Sequence, residues 1–334
     1  AALTASHTRA LRGMRAAEGA RDDMHHAQMK KALAKHKRAL VIHRIVSGDG
    51  HPNVAASLNN IGNVLFKKGM LVEARAKHEE ALEITRRARG EKHPDVAASL
   101  SNIADVLRRQ GQLDEALEMH KKALKIRRRA LGKDHVHVAE SLGYIGLVYA
   151  DQGKHVEALE MYGKALAIFA ATLGEQHPST VRLYNNIGLV LKDKGDLEVA
   201  ESLYCEALKV QRETLGSRHP NTIVSISNLG TLLKSKGDLA AAEPLYREAL
   251  VVSRETLGYR HPNTLAATNN LGSLMQDMGC LTSAEPLLRE ALEVQRETLG
   301  NQHPSTLTSI NNLGLLLEAK GDLAAAGSRC TARR

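Results

Sequence analysis

Tryptophan is absent from this sequence of 334 residues, and aromatic residues make up only 3% of it. Hydrophobic residues nevertheless reach 43%, so aliphatic side chains, alanine and leucine above all, must fill the core. Alanine and leucine are strong helix formers, whereas sheets are enriched in aromatic and β-branched residues. The composition therefore favours an all-α protein.

Cysteine is also scarce, because the chain has only Cys205, Cys280 and Cys330. Three cysteines far apart form neither a disulfide framework nor a CxxC metal motif, which is typical of a reducing compartment. No run of about 18 apolar residues occurs, so the sequence lacks the signal of a membrane-spanning helix. We expect a cytoplasmic protein without membrane insertion.

An alternative location follows from residues 1–21, which carry four arginines against a single acidic residue, Glu18. Arginine-rich, acid-poor stretches occur in leaders that direct proteins to organelles. If residues 1–21 derive from such a leader, the expected location is an organelle.

Positive charge is concentrated in the first part of the chain. Residues 1–134 contain 27 Lys and Arg against 15 Asp and Glu, whereas residues 135–326 contain 16 against 22. Such asymmetry indicates a docking face or a solvated surface rather than a reaction centre. Charge alone would permit RNA contact, but the stacking aromatics and reading modules of RNA-binding proteins are missing.

A fixed period decides the architecture. The dipeptide His-Pro begins at residues 51, 93, 177, 219, 261 and 303, and His135-Val136 fills the gap, which gives a period of 42 residues. Periods of 20 to 50 residues are typical of stacked repeats, in which each unit buries its apolar face against its neighbours. We therefore expect one elongated domain instead of several globular ones.

Each unit reads as two helices. In the unit that starts at His51, proline suits the first helical position and His51 or Asn53 can cap the helix, which we expect to run to about Lys67. Gly69 interrupts it, and a second helix is expected from Leu71 to about residue 88, ending at Gly90 in a left-handed conformation. Aspartates that follow the inner glycines, Asp196, Asp238 and Asp322, are expected to cap second helices.

Small residues identify the type of repeat, since a 42-residue period would also fit HEAT or armadillo units. The first helix reads Leu-x2-Ile-Gly-x2-Leu from residue 58 to 65, and the second carries Ala74 and Ala81, a pair that recurs every 42 residues up to Ala284 and Ala291. This pattern resembles the tetratricopeptide repeat. The Asn-Asn-Ile/Leu-Gly and Thr-Leu-Gly-x-x-His-Pro segments are similar to the kinesin light chain type of that repeat, without its preceding heptad coiled coil.

The resemblance implies a right-handed α-solenoid of helix pairs. It covers about seven units, and we expect the solenoid to span residues 29–326, with residues 29–48 as the second helix of a preceding unit. Residues 1–28 are then a degenerate helical or leader segment, and residues 327–334 a basic tail. In the seventh unit the second helix is cut short after Asp322, so we expect the apolar faces of Leu313, Leu316 and Leu317 to lack cover and this end to be frayed or docked on another chain.

The kinesin light chain type also implies a binding groove, because its first helices line a concave surface that holds extended peptides. Asparagine recurs there at two adjacent positions. Such a side chain either satisfies backbone groups between repeats from a half-buried position or binds a ligand, since one amide can donate to and accept from a peptide main chain at once. Of the two, the first is expected to point more squarely at the groove. The expected groove residues are Asn59, Asn60, Asn63, Lys67, Asn102, Arg108, Arg109, Arg182, Asn185, Asn186, Lys192, Asn228, Lys234, Asn269, Asn270, Asn311 and Asn312.

Catalytic and metal chemistry find no support in the sequence. One repeated histidine per unit cannot supply three or four convergent zinc ligands, and we interpret these histidines as loop and cap residues. GxSxG, HExxH and Gly-rich phosphate loops are absent. We therefore expect no cofactor, no metal and no enzymatic activity.

These observations predict a protein interaction scaffold or adaptor that binds a partner's extended segment or helix in the groove. The alternative is a structural subunit of a large organellar or ribonucleoprotein assembly, which would use the basic N-terminal third, its second helices on the convex side and the uncapped C-terminal end. A solenoid domain of a larger signalling protein is a further alternative.

Overall fold

The computed structural model describes residues 27–321, and all regular structure in that range is α-helical. First helices of the repeats are α2 (Pro52–Lys67), α4 (Pro94–Arg109), α6 (Val136–Asp151), α8 (Pro178–Lys194), α10 (Pro220–Ser235), α12 (Pro262–Asp277) and α14 (Pro304–Ala319). Second helices are α1 (residues 27–47), α3 (Leu71–Arg89), α5 (Leu113–Leu131), α7 (His155–Leu173), α9 (Leu197–Thr214), α11 (Leu239–Leu257) and α13 (Leu281–Leu299).

The described residues fall into two compact units, residues 27–194 and 195–321. In the first unit α2 packs on α3, α4 on α5 and α6 on α7, and each second helix also packs on the first helix that follows it. The second unit repeats this arrangement with α10 on α11 and α12 on α13. Within the described range, no helix is both long and apolar enough to cross a membrane.

The repeated histidines begin the first helices. In all seven copies the histidine Nδ1 accepts a hydrogen bond from the backbone N–H two residues later, at 3.1 to 3.2 Å. This bond satisfies one of the free N–H groups of the first turn, and proline, where present, needs no partner there. The interpretation of these histidines as cap residues is confirmed. Among the described residues no group of three or more His, Cys, Asp or Glu could hold a metal ion.

Two turn predictions need correction. Gly90 has a positive φ of 81° as expected, but its ψ of 161° places it in an extended region open to glycine rather than in the left-handed helical region. The chain leaves the helix extended because it must reach the next His-Pro segment. Asp238 accepts from the N–H of Ala241 at 3.0 Å, whereas Asp196 makes no such cap bond, and Asp322 lies outside the described residues.

Paired alanines let the helices of a repeat approach closely. Both alanines are fully buried in six of the seven second helices, from Ala74 and Ala81 of α3 to Ala284 and Ala291 of α13, and the equivalent alanines of α1 are half-buried. The helix glycines act in the same way, since a Cβ on Gly146 would lie 2.8 Å from the ring of Tyr162. Large side chains at these places would separate the helices, so the predicted role of the small residues is confirmed.

A polar contact joins some repeats to the next. His43 Nδ1 lies 2.8 Å from Ser57 Oγ, and Gln211 accepts from Ser225 at 2.6 Å. The contacting positions are 14 residues apart in both cases, from the end of a second helix to the following first helix. Residues 27–47 therefore take the place of a second helix, as predicted for residues 29–48.

The C-terminal leucines differ from the prediction. Leu313, Leu316 and Leu317 are buried, with exposures of 8%, 0% and 6%, so the expectation that they lack cover is wrong. They are buried because α14 packs on both α12 and α13. The predicted segment before residue 27, the end of the solenoid at residues 322–326 and the tail at residues 327–334 lie outside the described residues.

Candidate peptide-binding face

In each of the two compact units, the first helices have one side that the second helices do not cover. We call the exposed and half-buried side chains on that side the first-helix face of that compact unit. On α2 this face contains Asn60, Asn63 and Lys67, all exposed. Their spacing of three and four residues puts them on one side of the helix. These three residues of the predicted groove therefore lie on one accessible side of α2.

The first of the two asparagines does not point outward as predicted. Asn185 and Asn269 are buried, with exposures of 8% and 7%. Asn269 accepts from Ser309 on the next first helix at 3.2 Å, and Asn59 donates to Ser99 at 3.0 Å. The position is turned toward the neighbouring first helix, so the amide joins two repeats. In the last described copy, Asn311 is exposed.

The second asparagine lies nearer the surface. Asn60 is exposed, and the equivalent residues are half-buried: Asn102, Asn186, Asn228, Asn270 and Asn312. Asn102 donates weakly to Asn59 at 3.5 Å. These half-buried amides keep one side toward solvent, so this second row remains the predicted reader of a peptide main chain.

Three of the six cations of the predicted groove, Arg108, Lys192 and Lys234, are paired with aspartates. Arg108 pairs with Asp151 at 2.8 Å, and Lys234 pairs with Asp277 at 2.9 Å. In both cases the aspartate lies 43 residues later, on the next first helix, so each pair joins two adjacent repeats. A simple receptor for acidic peptides would leave such cations unpaired.

The remaining predicted cations have other surroundings. Lys192 lies 3.2 Å from Asp193 on its own helix. The guanidinium of Arg109 lies over the ring of Phe66, 5.3 Å from its centroid, a cation–π arrangement. Arg182 is exposed. The face therefore offers mixed charge rather than a uniform basic surface.

Beneath the face of the first unit lies a polar cluster with incomplete hydrogen bonding. His120 is fully buried, its ring stacks on Tyr144 with centroids 5.4 Å apart, and in the described structure neither ring nitrogen has a hydrogen-bond partner. Its Nε2 lies 3.6 Å from Oδ1 of Asp105, beyond hydrogen-bonding distance. The buried imidazole thus lacks a hydrogen-bond partner and lies beside a partly exposed carboxylate.

Burial dominates the titration of this cluster. It raises the pKa of Asp105 to about 6, although the positive charges of Arg108, Arg127 and Arg182 act in the opposite direction. It lowers the pKa of His120 to about 3, and Arg108 and Arg127 add to that effect. The imidazole is therefore neutral near pH 7, and the carboxylate is the anionic member.

Sequence reasoning missed both His120 and Arg127. Arg127 is buried and donates to Ser141 Oγ at 2.6 Å, in the same inter-repeat contact that His43 and Gln211 make. Comparison of equivalent positions within the chain could have found both residues. Arg127 stands where other repeats carry His43 and Gln211, and His120 stands where three later repeats carry tyrosine. In addition, Tyr144 replaces the second asparagine.

The comparisons with known proteins agree with this architecture. The sequence model of the tetratricopeptide repeat matches residues 54–129, 95–171, 137–213, 179–255, 226–277 and 263–327. The chain therefore belongs to the tetratricopeptide repeat family, whose members are in general protein interaction scaffolds. No match was found among curated proteins.

Comparison with solved structures supports the assignment of the repeat type. The chain is similar to BtubC (BKLC) from P. vanneervenii, with a TM-score of 0.56 and 23% identity over 70% of this chain and 94% of that chain, which shows the fold. It is also similar to the nearly identical TPR-like repeats of a Podosopora anserina protein assigned as a kinesin light chain. Two crystal structures of that protein give TM-scores of 0.52 and 0.51 at 26% identity, over 62% of this chain and 98% of that chain. The predicted kinesin light chain type of repeat is confirmed.

Proposed function

We propose that this protein is a non-enzymatic scaffold that binds an extended segment or a helix of a protein partner along the first-helix face of residues 27–194. The face presents the second row of asparagines, which can donate to and accept from a peptide main chain regardless of its sequence. Because Arg108 and Lys192 on this face are paired with aspartates, we expect it to accept segments of mixed charge.

One observation carries the proposal: the contrast between Asp105 with His120 and the equivalent pair in the second unit. There the positions are Thr231 and Tyr246, and the tyrosine hydroxyl donates to the threonine hydroxyl at 2.9 Å. The repeat can therefore complete this contact with neutral groups. In the first unit a charged group and an unsatisfied ring occupy the same place, which destabilises the free protein.

A bound segment would complete the unsatisfied contact. The side chain of Asp105 is 28% exposed, so a partner can reach it, whereas His120 is inaccessible. A backbone N–H or a hydroxyl of the partner could donate to the carboxylate, a hydrogen bond strengthened by the charge of the acceptor. Binding would then recover free energy that the free protein lacks.

The alternative function, a structural subunit of a large assembly, uses the second-helix side instead. High salt distinguishes the two, because contacts between exposed charges weaken as ionic strength rises, whereas a partner held by main-chain hydrogen bonds loses less.

The proposal is tested by transplanting the satisfied contact from the second unit into the first. The triple variant Ala104→Gly, Asp105→Thr, His120→Tyr reproduces Gly230, Thr231 and Tyr246, and the glycine is needed because a Cβ at position 230 would lie 3.0 Å from the Tyr246 ring. Peptides selected from a displayed library on the wild type should bind the variant at least about tenfold more weakly, or about 1.4 kcal/mol. The variant should be at least as stable in urea unfolding.

The matched control is the reverse transplant, Gly230→Ala, Thr231→Asp, Tyr246→His. It should lower stability while the selected peptides keep their affinity. Equal affinity of those peptides for the wild type and the first triple variant would contradict the proposed site.

A further inference from the structure

Arginine–glutamate pairs connect neighbouring second helices at one recurring position. Arg44 on α1 pairs with Glu80 on α3 at 2.6 Å. In the second unit Arg212 pairs with Glu248 at 2.7 Å. Arg254 pairs with Glu290 in the same way. The partners lie 36 residues apart each time, so each pair joins one repeat to the next along the second-helix side.

At two successive junctions of the first unit the glutamate is replaced by lysine. Arg86 and Arg128 occupy the arginine position, but the residues 36 positions later are Lys122 and Lys164. Arg86 and Lys122 line the same shallow groove between α3 and α5. Two positive charges at these positions repel each other. Lysine therefore weakens the contact between neighbouring second helices, whereas glutamate would support it.

Acidic residues near the groove are already engaged. Glu79 accepts from Arg75 at 2.8 Å, and Glu83 accepts from Arg87 at 2.6 Å, each within α3. Glu115, which also lines the groove, accepts from Gln112 at 3.1 Å. Lys164 contacts Glu160 of its own helix. Arg86 pairs with Glu91 just beyond the end of α3 at 3.1 Å, as Arg44 pairs with Asp49. Among the described residues, however, no carboxylate of α5 or α7 pairs with Arg86 or Arg128 in place of the missing glutamates.

The C-terminal half of α5 carries several positively charged side chains. We define the basic face of α5 as Lys122, Lys125, Arg128 and Arg129, which are all exposed. Among the described residues none of the four makes an ion pair. Three of them, together with Lys121 and Leu124, line a shallow cavity that contains no acidic residue. A leucine surrounded by cations, of which Lys125, Arg128 and Arg129 make no ion pair, favours a ligand that carries several anionic groups.

We propose that the basic face of α5 binds an acidic protein segment, whose carboxylates take the places that Glu80, Glu248 and Glu290 occupy at the other junctions. At those junctions the same arginine position already recognises a carboxylate. Nucleic acid fits less well, because single-stranded nucleic acids are held by stacking on aromatic side chains in addition to charge. Neither α3 nor α5 contains Phe, Tyr or Trp, and both aromatic residues of α7, Tyr162 and Phe169, are buried. The surface belongs to a second helix and is thus separate from the first-helix face.

The test uses a fluorescein-labelled peptide of twelve glutamates, with a twelve-nucleotide oligouridylate as the competing chemistry, at pH 7.5 and low salt. The wild-type protein should bind the peptide more tightly than the oligonucleotide. The variant Lys122→Glu with Lys164→Glu should bind the peptide at least tenfold more weakly, with a shallower dependence of affinity on salt. Because it restores glutamates opposite Arg86 and Arg128, it should also melt at the same or a higher temperature.

Two controls separate this site from other effects. Lys92→Glu with Lys209→Glu changes the net charge equally at exposed residues without ion pairs, and should keep at least half of the peptide affinity. Arg108→Glu with Arg109→Glu alters the first-helix face and should also keep at least half of the affinity for the glutamate peptide. Binding to the basic face of α5 can therefore be tested even if the first-helix face binds no partner.

Three outcomes would overturn the proposal: no binding of the peptide to the wild type, equal binding by the Lys122→Glu, Lys164→Glu variant, or tighter binding of the oligonucleotide than of the peptide. A second variant, Lys125→Ser with Arg129→Ser, must also lose at least half of the peptide affinity, since it removes two cations without introducing acids.

Discussion

At the scale of single residues, one buried position of the second helix shows how the repeat tolerates different chemistry. The residues there are His78, His120, Tyr162, Tyr204, Tyr246 and Leu288, and all are buried. His78 contacts Asn59 through its Nδ1 at 2.9 Å, whereas His120 has no such partner. The repeat therefore requires a side chain that fills the space against the first helix, and its polarity is free to vary.

His78 predicts a dependence of stability on pH. Burial lowers its pKa from 6.5 to about 4, so the unfolded chain binds more protons than the folded one between these values. Stability is then fully present above pH 6.5 and is lost as pH falls toward 4, by up to about 3 kcal/mol. His78→Tyr, the residue of later repeats, should remove this part of the pH dependence. Urea unfolding of wild type and variant at pH 7 and pH 4.5 measures it.

His137→Gln serves as the control for replacing an exposed histidine while the buried imidazole of His78 stays in place. Parallel profiles for the wild type and His78→Tyr would show that the buried imidazole is not linked to folding.

At the scale of helices, packing within a repeat depends on small side chains. Ala158 is fully buried on α7, and its carbonyl oxygen lies 3.2 Å from the place that a Cβ on Gly146 would occupy. No space remains for a longer side chain at this crossing. Sequence spacing alone indicated which alanines are involved.

Ala158→Leu should overpack the crossing of α6 and α7 and lower the free energy of unfolding by roughly 1 to 3 kcal/mol. Ala171→Leu is the matched control, because Ala171 lies on the same helix and is exposed, where leucine is tolerated well. Thermal and urea unfolding measure the difference. Equal stability of the two variants would mean that the close approach at Ala158 does not support the fold.

At the scale of the whole molecule, stability is distributed over neighbouring helices rather than one central core. Each unit has its own buried clusters, for example Leu100 and Ile103 with Ala116 in the first. In repeat proteins the total stability is approximately a sum over repeats and their interfaces. A local change should therefore act on its neighbours more than on distant repeats.

Hydrogen exchange of the Ala158→Leu variant tests this expectation. Loss of amide protection should be greatest in α6 and α7, smaller in α5 and α8, and absent in α12 and α13, because contacts join only helices of the same repeat or of neighbouring repeats. Mass spectrometry of peptic peptides resolves these segments. Uniform loss of protection across residues 52–319 would indicate that the chain unfolds as one cooperative unit.

The sequence alone determined the period, the all-α class, the helix pairs and the buried alanines. These properties depend on residues close together in the chain: His51 and Pro52 begin a helix, and Gly69 and Gly90 end the two helices of the first unit. Local backbone preferences and a spacing of 42 residues are sufficient for such predictions. The predicted first helix to Lys67 agrees with α2 for this reason.

Only the tertiary structure decided which polar residues are available for binding. Asn269 and Asn270 are adjacent and chemically identical, yet a rotation of about 100° per residue turns the first into an interface between repeats and leaves the second near solvent. In the same way, Arg108 meets Asp151 and Arg127 is buried against Ser141 because neighbouring helices bring them together. Such contacts depend on the orientation of side chains on packed helices, which a count of residues along one chain does not contain.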